Sequence, residues 1–340
     1  MTSRRLLLPT LLAPLAAPHI ANAQANEVVV GTWGGDYAAL LTSEIENPLL
    51  RPQGINPIQE LGTPAARKTK LLAERTSRRG SMDVVCLGDS DCHAMGELGL
   101  VEELTPANVP NIAHVLPALR SPFTLPHIYS VRVMLYNPAT IAPPPTRYAD
   151  LWDDRFRGRI GFSDLLYQSI SEAATIVAGG NESNYTPGRD RLLALKALGA
   201  RVYSANETLA AALKSGEVSA TIMWLARGYM WRKAGINMHT AMPAEGATPY
   251  VSAAVVPKNA RNKQAAFAYL NAMLDPRAAL GFAERMGFLP TTSNATLPAP
   301  LLAEIGLTAE QQAKLRRPDF AYTAQHAAEI LNFWERAFKA

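Results

Sequence analysis

EVVVGTWGGDYAAL, residues 27–40, joins a short apolar strand to a glycine-rich turn and the first residues of a helix. The same order repeats at once: residues 55–61 predict a second strand, and residues 82–87 predict a buried third strand. Between them, Thr63-Pro64 has the residue types of a helix N-cap and first helical position, and Gly80 is expected to end that helix. A β-α-β-α-β run of this kind fits parallel strands joined by right-handed crossovers. The sequence therefore predicts an α/β fold.

A second unit with the same alternation follows the proline-rich residues 143–145. Its predicted strands are short and apolar, and its predicted helices end at glycines or carry helix-capping residues. The remaining predicted elements are helix 37–47 (ended by Pro48), strand 159–163, helix 189–198, strand 201–203, a helix capped by residues 204–207 and ending near Gly216, strand 218–224, strand 250–256, helix 262–274 and helical residues from about 308 onward.

Two α/β units of similar size predict two lobes, each a mostly parallel sheet flanked by helices, joined by a hinge and separated by a cleft. We expect residues 26–130 to form the first part of lobe 1, residues 131–248 to form lobe 2, and residues 249–300 to return to lobe 1. Residues 301–340 are expected to form C-terminal helices that pack on lobe 2. Ligands in such folds bind beyond the C-terminal ends of strands, so the cleft is the predicted binding region.

Residues 1–25 have the pattern of a secretory signal peptide. Arg4 and Arg5 form its positive start, and residues 6–17 form an apolar stretch that is too short and too interrupted by proline to span a bilayer. Residues 21–23, Ala-Asn-Ala, form a small-x-small cleavage site. The residues around Arg4 and Arg5 fit either a twin-arginine signal or an ordinary export signal. We therefore expect a periplasmic protein that is exported with a cleaved signal peptide.

The composition excludes several classes of protein. Of the 340 residues, 48% are hydrophobic and 18% are charged, a balance that excludes a disordered chain. After the N-terminus, no run approaches the ~20 apolar residues of a membrane-spanning helix. The formal net charge is +4, falls to +2 once Arg4 and Arg5 are removed, and forms no basic stripe. Nucleic acid is therefore not an expected partner.

Cys86 and Cys92 lie six positions apart in a chain that we expect to be exported. In an oxidising compartment they either form a local disulfide or remain two buried thiols. Asp89, Asp91 and His93 lie among them, but the spacing matches no zinc signature. We expect no metal and no cofactor.

Catalytic motifs are mostly missing from the chain. The stretch GFSDL, residues 161–165, resembles a nucleophile elbow but lacks its second glycine. The chain has no dinucleotide-binding glycine pattern, no phosphate-binding loop and no paired-histidine zinc motif. The sequence therefore predicts a protein that is not an enzyme. An exported hydrolase that uses Ser163 or Asp164 is the alternative.

Aromatic and polar residues follow the predicted strands at the edge where the cleft is expected. Trp33, Asp36 and Tyr37 come after the first strand, where glycines allow a ligand to approach the backbone closely. Asp164 and Trp224 end two other strands. A carboxylate and aromatic faces of this kind suit an ammonium group. The alternatives are structural: Asp36 and Asp164 as helix caps, Tyr37 and Trp224 as core residues.

Several stretches of the chain resemble the bacterial extracellular solute-binding proteins of ABC transporters, specifically the spermidine/putrescine-binding group. They are TWGGDY (32–37), YADLW (148–152) with Arg157-Gly158, GEV (216–218) with Met223-Trp224, and VPKNARNK (256–263) with the following helix. The resemblance covers nearly the whole chain after residue 25. It implies two lobes that close on a ligand about a hinge, and a closed form that docks on the transmembrane subunits of a permease.

The resemblance also implies which residues contact the ligand. The aromatic residue after the first strand falls on Trp33, and the nearby ring falls on Tyr37. The cleft carboxylate falls on Asp164, and the stacking tryptophan falls on Trp224. Iron-binding relatives need adjacent tyrosines, a pair that this chain lacks.

Other family positions carry different residues in this chain. A second tryptophan aligns with Tyr250, which keeps a ring. A paired aspartate that meets an amine aligns with Ser252, and a tyrosine falls near Ser90 or Asp91. The full set of predicted ligand-binding residues is Trp33, Asp36, Tyr37, Ser90, Asp164, Trp224, Tyr250 and Ser252.

We therefore predict the periplasmic substrate-binding component of an ABC importer, a monomer that captures a small polar solute between its lobes and delivers it to the permease. A polyamine such as putrescine or spermidine is the first candidate ligand. The second candidate is an anionic or zwitterionic molecule, which is favoured by the loss of the carboxylate at Ser252, by the glycine-rich turn at a helix N-terminus and by Arg227.

Overall fold

The computed structural model describes residues 26–340. The predicted signal peptide, residues 1–25, lies outside the described residues, so its cleavage and its export route stay predictions. Within residues 26–340, no helix combines the length and the apolar character needed to cross a membrane.

Strands and helices alternate along most of the described chain. The strands are β1 (Glu27–Thr32), β2 (Asn56–Leu61), β3 (Val84–Gly88), β4 (Leu125–Tyr136), β5 (Gly161–Ser163), β6 (Arg201–Tyr203), β7 (Ala220–Trp224), β8 (His239–Ala241), β9 (Pro249–Val255) and β10 (Leu289–Pro290). The helices are α1 (Gly35–Leu40), α2 (Pro64–Ala73), α3 (Asp89–Glu97), α4 (Tyr167–Val177), α5 (Gly188–Ala197), α6 (Asn206–Ser215), α7 (Leu225–Lys233), α8 (Lys263–Met273), α9 (Pro276–Met286), α10 (Ala299–Ile305), α11 (Ala309–Ala313) and α12 (Phe320–Phe333). Two π-helical stretches, Leu41–Leu50 and Trp334–Lys339, extend α1 and α12.

The main sheet has the strand order β10-β4-β9-β3-β1-β2. β1 pairs in parallel with β2 and with β3, as the β-α-β-α-β pattern predicts. β9 pairs antiparallel with β3 and with β4, and β10 pairs antiparallel with β4. β5 and β6 form a separate parallel pair. The main sheet is therefore mixed: it is parallel at the β2 edge and antiparallel from β3 to β10.

Strand β4 connects the two halves of the molecule and was not among the predicted strands. Its residues 125–131 pair with β9, and its residues 132–136 pair with β7 and β8. All but one of its residues are buried, as expected for a strand that is covered on both faces. The exception is Arg132, which lies where the strand changes partners, directly opposite Trp224 in the ladder with β7.

The first two helices end at other residues than the sequence predicts. Pro48 does not end the first helix, because it lies inside the π-helical stretch that continues to Leu50. The wider π-type turns do not use i→i−4 hydrogen bonds, which are the bonds that a proline disrupts in an α-helix. The second helix begins as predicted, with the Ala66 N–H donating to Thr63 Oγ1 at 3.2 Å, but it ends at Ala73 rather than at Gly80.

The predicted capping residue of α6 is wrong by one position. The N-cap is Ala205 rather than Ser204, and its backbone N–H donates to Thr208 Oγ1 at 3.1 Å. The Thr208 hydroxyl, one turn into the helix, therefore does what the sequence pattern assigned to Glu207, and no described side chain accepts from the first-turn N–H groups as Ser204 was expected to. The helix still ends at Gly216, which has a positive φ of 79°.

Cys86 and Cys92 are two buried free thiols in this structure rather than a disulfide. Burial raises the pKa of the Cys86 thiol to about 11, so that it stays protonated at neutral pH. Among residues 26–340, no group of three or more His, Cys, Asp or Glu side chains is arranged to hold a metal ion.

The C-terminal helix α12 packs on α3 and α4, and its π-helical extension packs on α5. Trp334 is fully buried, and its Nε1–H donates to Asp164 Oδ1 at 2.7 Å. Lys339 Nζ donates to the second oxygen of Asp164, also at 2.7 Å. Nearer the start of α12, the backbone N–H of Tyr185 donates to Tyr322 Oη at 2.8 Å. These hydrogen bonds hold the C-terminal segment both near the start of α12 and along its π-helical extension.

Replacing Trp334 with alanine is expected to lower the free energy of unfolding by about 3–5 kcal/mol, because the substitution leaves a cavity where a fully buried ring was. Urea unfolding followed by circular dichroism measures the change. The matched control is Leu331→Ala on the same helix, where the side chain is 42% exposed and the change should stay within about 0.5 kcal/mol. Equal urea midpoints for Trp334→Ala and wild type would contradict this packing.

Candidate functional site

A cleft with a cavity volume of about 170 Å³ lies between the start of α3, helix α4, the end of β7, the start of β9 and the start of α12. This volume is below the roughly 300–1,000 Å³ of sites for drug-sized ligands, so it suits a molecule of metabolite size. The charged side chains that line the cleft are Asp89, Arg132 and Glu172, and the aromatic ones are Tyr185, Trp224, Tyr250 and Phe320.

The ends of three strands bring these side chains together. β3 ends at Gly88, and Asp89 and Ser90 follow directly in the first turn of α3. β7 ends at Trp224, and β9 begins at Pro249-Tyr250. Because β9 is antiparallel to β3, its start lies beside the carboxyl end of β3, with Ser252 opposite Gly88. The cleft therefore lies at the sheet edge where α/β folds place their ligands.

Trp224 and Tyr250 form an aromatic wall of the cleft. Their rings are stacked, with centroids 4.8 Å apart and planes at 28°. The Trp224 Nε1–H is shielded from solvent and donates to no group among the described residues. Burial raises the pKa of Tyr250, so its hydroxyl is a neutral donor and acceptor at physiological pH. Stacked aromatic faces offer both apolar contact and attraction for a cation.

Arg132 and Glu172 form a buried ion pair in the floor of the cleft. Arg132 Nη1 lies 2.9 Å from Glu172 Oε2, and the two side chains are 17% and 5% exposed. Both oxygens of Glu172 accept further bonds, Oε1 from the Thr248 hydroxyl and Oε2 from the Tyr185 hydroxyl at 3.4 Å. The Arg132 Nε–H is shielded from solvent and has no partner among the described residues. The carboxylate of this pair therefore accepts from three donors, whereas the guanidinium keeps unused N–H groups.

Asp89 is the lining carboxyl group that forms no ion pair with any described residue. Its Oδ1 accepts only the neighbouring Ser90 backbone N–H, at 3.0 Å, and the Val251 backbone lies near enough to contribute a second N–H bond. Burial raises the pKa of Asp89 to about 6, against the opposing effects of the Arg132 charge and these N–H groups. A carboxylate held in this way is costly when ionised and gains most from an arriving cation.

Three of the eight predicted ligand-binding residues line the cleft: Ser90, Trp224 and Tyr250. Ser252 lies behind them, buried in β9, and its side chain is close enough to Tyr250 to hydrogen-bond with it. Ser252 is thus placed to orient Tyr250 rather than to line the cavity. No ligand tests these positions, so contact with a ligand stays a prediction for each of them.

The predicted residues after β1 lie outside the lining of this cleft. Tyr37 is a core residue: it is 6% exposed, and its Oη is hydrogen-bonded to His127 Nδ1 at 2.7 Å. Trp33 is half-buried, with its ring 4.9 Å from that of Tyr37 and the Arg67 guanidinium 4.8 Å above it. Asp36 is exposed in the first turn of α1, whose N-cap is Gly34, so it caps nothing. The alternative of a core tyrosine is the one the structure supports.

Asp164 lies outside the lining of the cleft. Its two oxygens accept bonds from Trp334 and Lys339, so it secures the chain end instead of offering a free carboxylate to a ligand. The acid that has this freedom is Asp89, after β3. The two residues that donate to Asp164 lie 170 or more positions away in sequence, so the residues next to Asp164 give no sign of them.

Three charged residues of the cleft were missed. Asp89 had a usable signal, since it follows a buried strand directly and stands next to Ser90. Arg132 had none, because it lies within the long apolar run of β4. Glu172 lies in the buried middle of α4 and also had no local signal. Arg227, considered from the sequence, does not line the cleft.

A larger cavity of about 500 Å³ lies elsewhere, along residues 104–126. Its lining is mostly apolar, from Leu104, Ile112 and Val115, and Arg120 is its one ionisable side chain. We place the candidate site in the smaller cleft, because a binding site for a polar solute needs converging polar groups.

The arrangement around Ser163 does not support a hydrolase. Ser163 is fully buried, and its Oγ has no hydrogen-bond partner among the described residues. A serine nucleophile needs a base within hydrogen-bond reach and access to substrate. Asp164, the other candidate, is held by Trp334 and Lys339.

A protein-family model described as bacterial extracellular solute-binding protein matches residues 58–309. The chain belongs to this family. Curated relatives include the spermidine/putrescine-binding periplasmic proteins of Escherichia coli (strain K12) and Salmonella typhimurium (strain LT2), each 25% identical over 226 residues. The match covers 63% of this chain and 64% of those relatives, so the chain spans somewhat less than two thirds of their length.

Solved structures with the same fold cover nearly the whole chain. An ABC transporter protein from Clostridium perfringens has a TM-score of 0.80 at 19% identity, over 92% of this chain and 100% of that one. The Atu4243-GABA receptor also has a TM-score of 0.80, at 22% identity, over 93% and 98%. A spermidine/putrescine ABC transporter substrate-binding protein from Streptococcus pneumoniae has a TM-score of 0.75 at 21% identity, over 91% and 99%. The solute-binding protein described here thus has the two-lobed α/β fold of periplasmic binding proteins.

Asp89→Ala and Asp164→Ala are expected to change stability in opposite directions. Asp164→Ala leaves the Trp334 Nε1–H without its acceptor, which should lower the free energy of unfolding by about 1–3 kcal/mol. Asp89 has a pKa in the folded protein that lies above its value in the unfolded chain, so its charge costs stability at pH values above about 6. Asp89→Ala should therefore be at least as stable as wild type at pH 7.5. Urea unfolding of both variants at pH 7.5 measures the difference. A loss for Asp89→Ala as large as that for Asp164→Ala would contradict these assignments.

Proposed function

We propose that this protein is the substrate-binding component of an ABC importer and captures a small solute that carries an ammonium group. The proposal rests on one observation above the others: Asp89 lines the cleft as a partly desolvated carboxylate that forms no ion pair with any described residue, although the Arg132 charge acts on it. Charge-assisted hydrogen bonds to such a group are about twice as strong as neutral ones. An ammonium group supplies the missing charge and the missing donors together.

The aromatic wall supports the same ligand chemistry. Trp224 and Tyr250 line the cleft beside Asp89 and offer π faces that attract a cation. A desolvated cation–π contact contributes about 2 kcal/mol. Tyr185 and Phe320 add apolar lining, which suits the alkyl part of an amine. The cleft thus combines one free acid with aromatic surface, as a receptor for a short alkylamine requires.

Two ligand classes fit this description. The curated relatives are named for spermidine and putrescine, which carry an ammonium group at each end. A structural neighbour is titled a GABA receptor, and GABA carries an ammonium group and a carboxylate. The two classes share the group that Asp89 receives and differ in the group at the other end of the ligand.

Capture is proposed to occur by closure of the two lobes around the cleft. Asp89 and Ser90 come from the half built on β1–β3, whereas Glu172 and Trp224 come from the half built on β5–β7. A ligand that contacts both halves stabilises the closed arrangement over an open one. The closed form would then deliver the solute to the transmembrane permease subunits. We further propose a periplasmic location and a monomer, as the sequence predicts.

Affinity for an amine ligand is expected to fall as the pH falls from 7.5 to 5. With a pKa of about 6, Asp89 is almost fully ionised at pH 7.5 and about one-tenth ionised at pH 5. Only the ionised form attracts an ammonium group, so Kd should rise about ten-fold over this range. Calorimetric titration with the tightest binder among putrescine, spermidine and 4-aminobutanoate measures the Kd at each pH.

Two variants test whether Asp89 causes this pH dependence. Asp89→Asn should weaken binding at pH 7.5 by roughly 10- to 150-fold and remove the pH dependence. His93 lies near the cleft, with its ring 5.7 Å from that of Phe320, so His93→Gln is the control and should keep the wild-type profile. A pH profile that His93→Gln flattens and Asp89→Asn leaves intact would count against Asp89 as the ammonium receptor.

A further inference from the structure

Two hydrogen-bond donors in the cleft are neighbours, and neither has an acceptor among the described residues. They are the Nε–H of Arg132 and the Nε1–H of Trp224, and both nitrogens are shielded from solvent. Arg132 and Trp224 are directly opposite each other in the antiparallel ladder of β4 and β7. Side chains opposite each other in such a ladder lie on one face of the sheet, with Cβ atoms about 4.5–5.5 Å apart.

A native protein seldom leaves a buried donor without a partner, because the group loses its bond to water and gains none in return. Because the two donors are neighbours on the wall of a binding cleft, one acceptor group of a ligand is able to accept from both. The guanidinium has further capacity as well: among the described residues, only one of its five N–H bonds finds an acceptor, from Nη1 in the ion pair with Glu172. This end of the cleft is therefore rich in donors and poor in acceptors.

We infer that the ligand carries a carboxylate in addition to its ammonium group, so that it is a small zwitterion whose carboxylate is received by Arg132 and Trp224. This inference rests on the proposed function, since it assumes that the ammonium group is bound at Asp89. A planar carboxylate matches the fork of a guanidinium in shape and charge. The indole N–H beside it supplies a third donor to the same two oxygens.

A second ammonium group has no comparable place in the cleft. Glu172 already accepts from Arg132, Tyr185 and Thr248, so it offers little to another cation. An ammonium group at this end would also meet the unused donors and the positive charge of Arg132, and like charges at close range cost affinity. The cleft therefore discriminates against a diamine by the same donors that favour a carboxylate.

Three ligands of matched length test the inference on the unaltered protein. Butylamine, putrescine and 4-aminobutanoate share an ammonium group and a short alkyl chain and differ at the other end in having no charge, a second ammonium group or a carboxylate. Calorimetric titration at pH 7.5 should show 4-aminobutanoate binding at least about ten-fold more tightly than the other two. The ω-amino acids and diamines that are one carbon shorter and one carbon longer are titrated in the same way, so that a mismatch in length does not hide the preference.

A variant of Arg132 tests which residue carries the preference. Arg132→Lys keeps a positive charge beside Glu172 but removes the fork and the Nε–H. The ratio of the butylamine Kd to the 4-aminobutanoate Kd should fall by about ten-fold. Arg316→Lys is the matched control: Arg316 also pairs with a mostly buried glutamate, Glu182, outside the cleft, and its variant should keep the wild-type preference.

The outcomes separate this inference from the proposed function. If diamines bind more tightly than ω-amino acids at every length, the inference is overturned and an amine receptor remains. If Arg132→Lys keeps the full preference for the carboxylate while folded, Arg132 is not its receptor and the inference is overturned. If no ammonium-containing member of the series binds, the proposed function fails and the inference fails with it.

Discussion

The buried ion pair between Arg132 and Glu172 is the interaction on which the arrangement of the cleft depends. Arg132 lies where β4 leaves β9 and begins to pair with β7, and its backbone N–H donates to Thr248 O at 3.0 Å, just before β9. Glu172 extends from α4 and accepts from the Thr248 side chain as well. One pair therefore joins both parts of the sheet to a helix of the second half. Removing one partner of a buried pair costs about 3–5 kcal/mol, because a charge is left uncompensated.

The same pair limits what the cleft is able to recognise. By saturating Glu172, it leaves Asp89 as the acid with capacity for a cation, and by using one N–H of Arg132 it leaves the others for an anion. The ionised Asp89 is unfavourable without a ligand, and the donors of Arg132 and Trp224 are unfavourable without an acceptor. An unpaired acid and unpaired donors in one small cleft are typical of a binding site, because a bound ligand provides the partners that the protein itself lacks.

The sequence predicted the parts of the fold that depend on local pattern. The parallel β2-β1-β3 edge follows from three apolar runs separated by helical segments. Trp224 was singled out because it ends a predicted strand, and Tyr250 because it aligns with a tryptophan of the family that the chain resembles. The centre of the main sheet was not predictable in this way. β4 is one long buried strand whose two ends pair with different strands, and its own residues do not indicate which strands these are. Arg132 and Glu172 were missed for the same reason, since the role of each in the cleft depends on a partner that is distant in sequence.

Asp89 and Asp164 have similar local sequence but different partners in the folded protein. Each follows a short buried strand and precedes a helix, and each stands beside a serine, so the sequence gives them equal standing. Their difference arises from two residues distant in sequence: Trp334 and Lys339 donate to the two oxygens of Asp164, whereas Asp89 accepts backbone N–H groups and forms no ion pair with any described residue. A carboxylate that already pairs with an ammonium group has little capacity left for a ligand. A carboxylate that is buried without such a pair costs stability when it is ionised, so Asp89 is the acid to which a ligand is expected to bind.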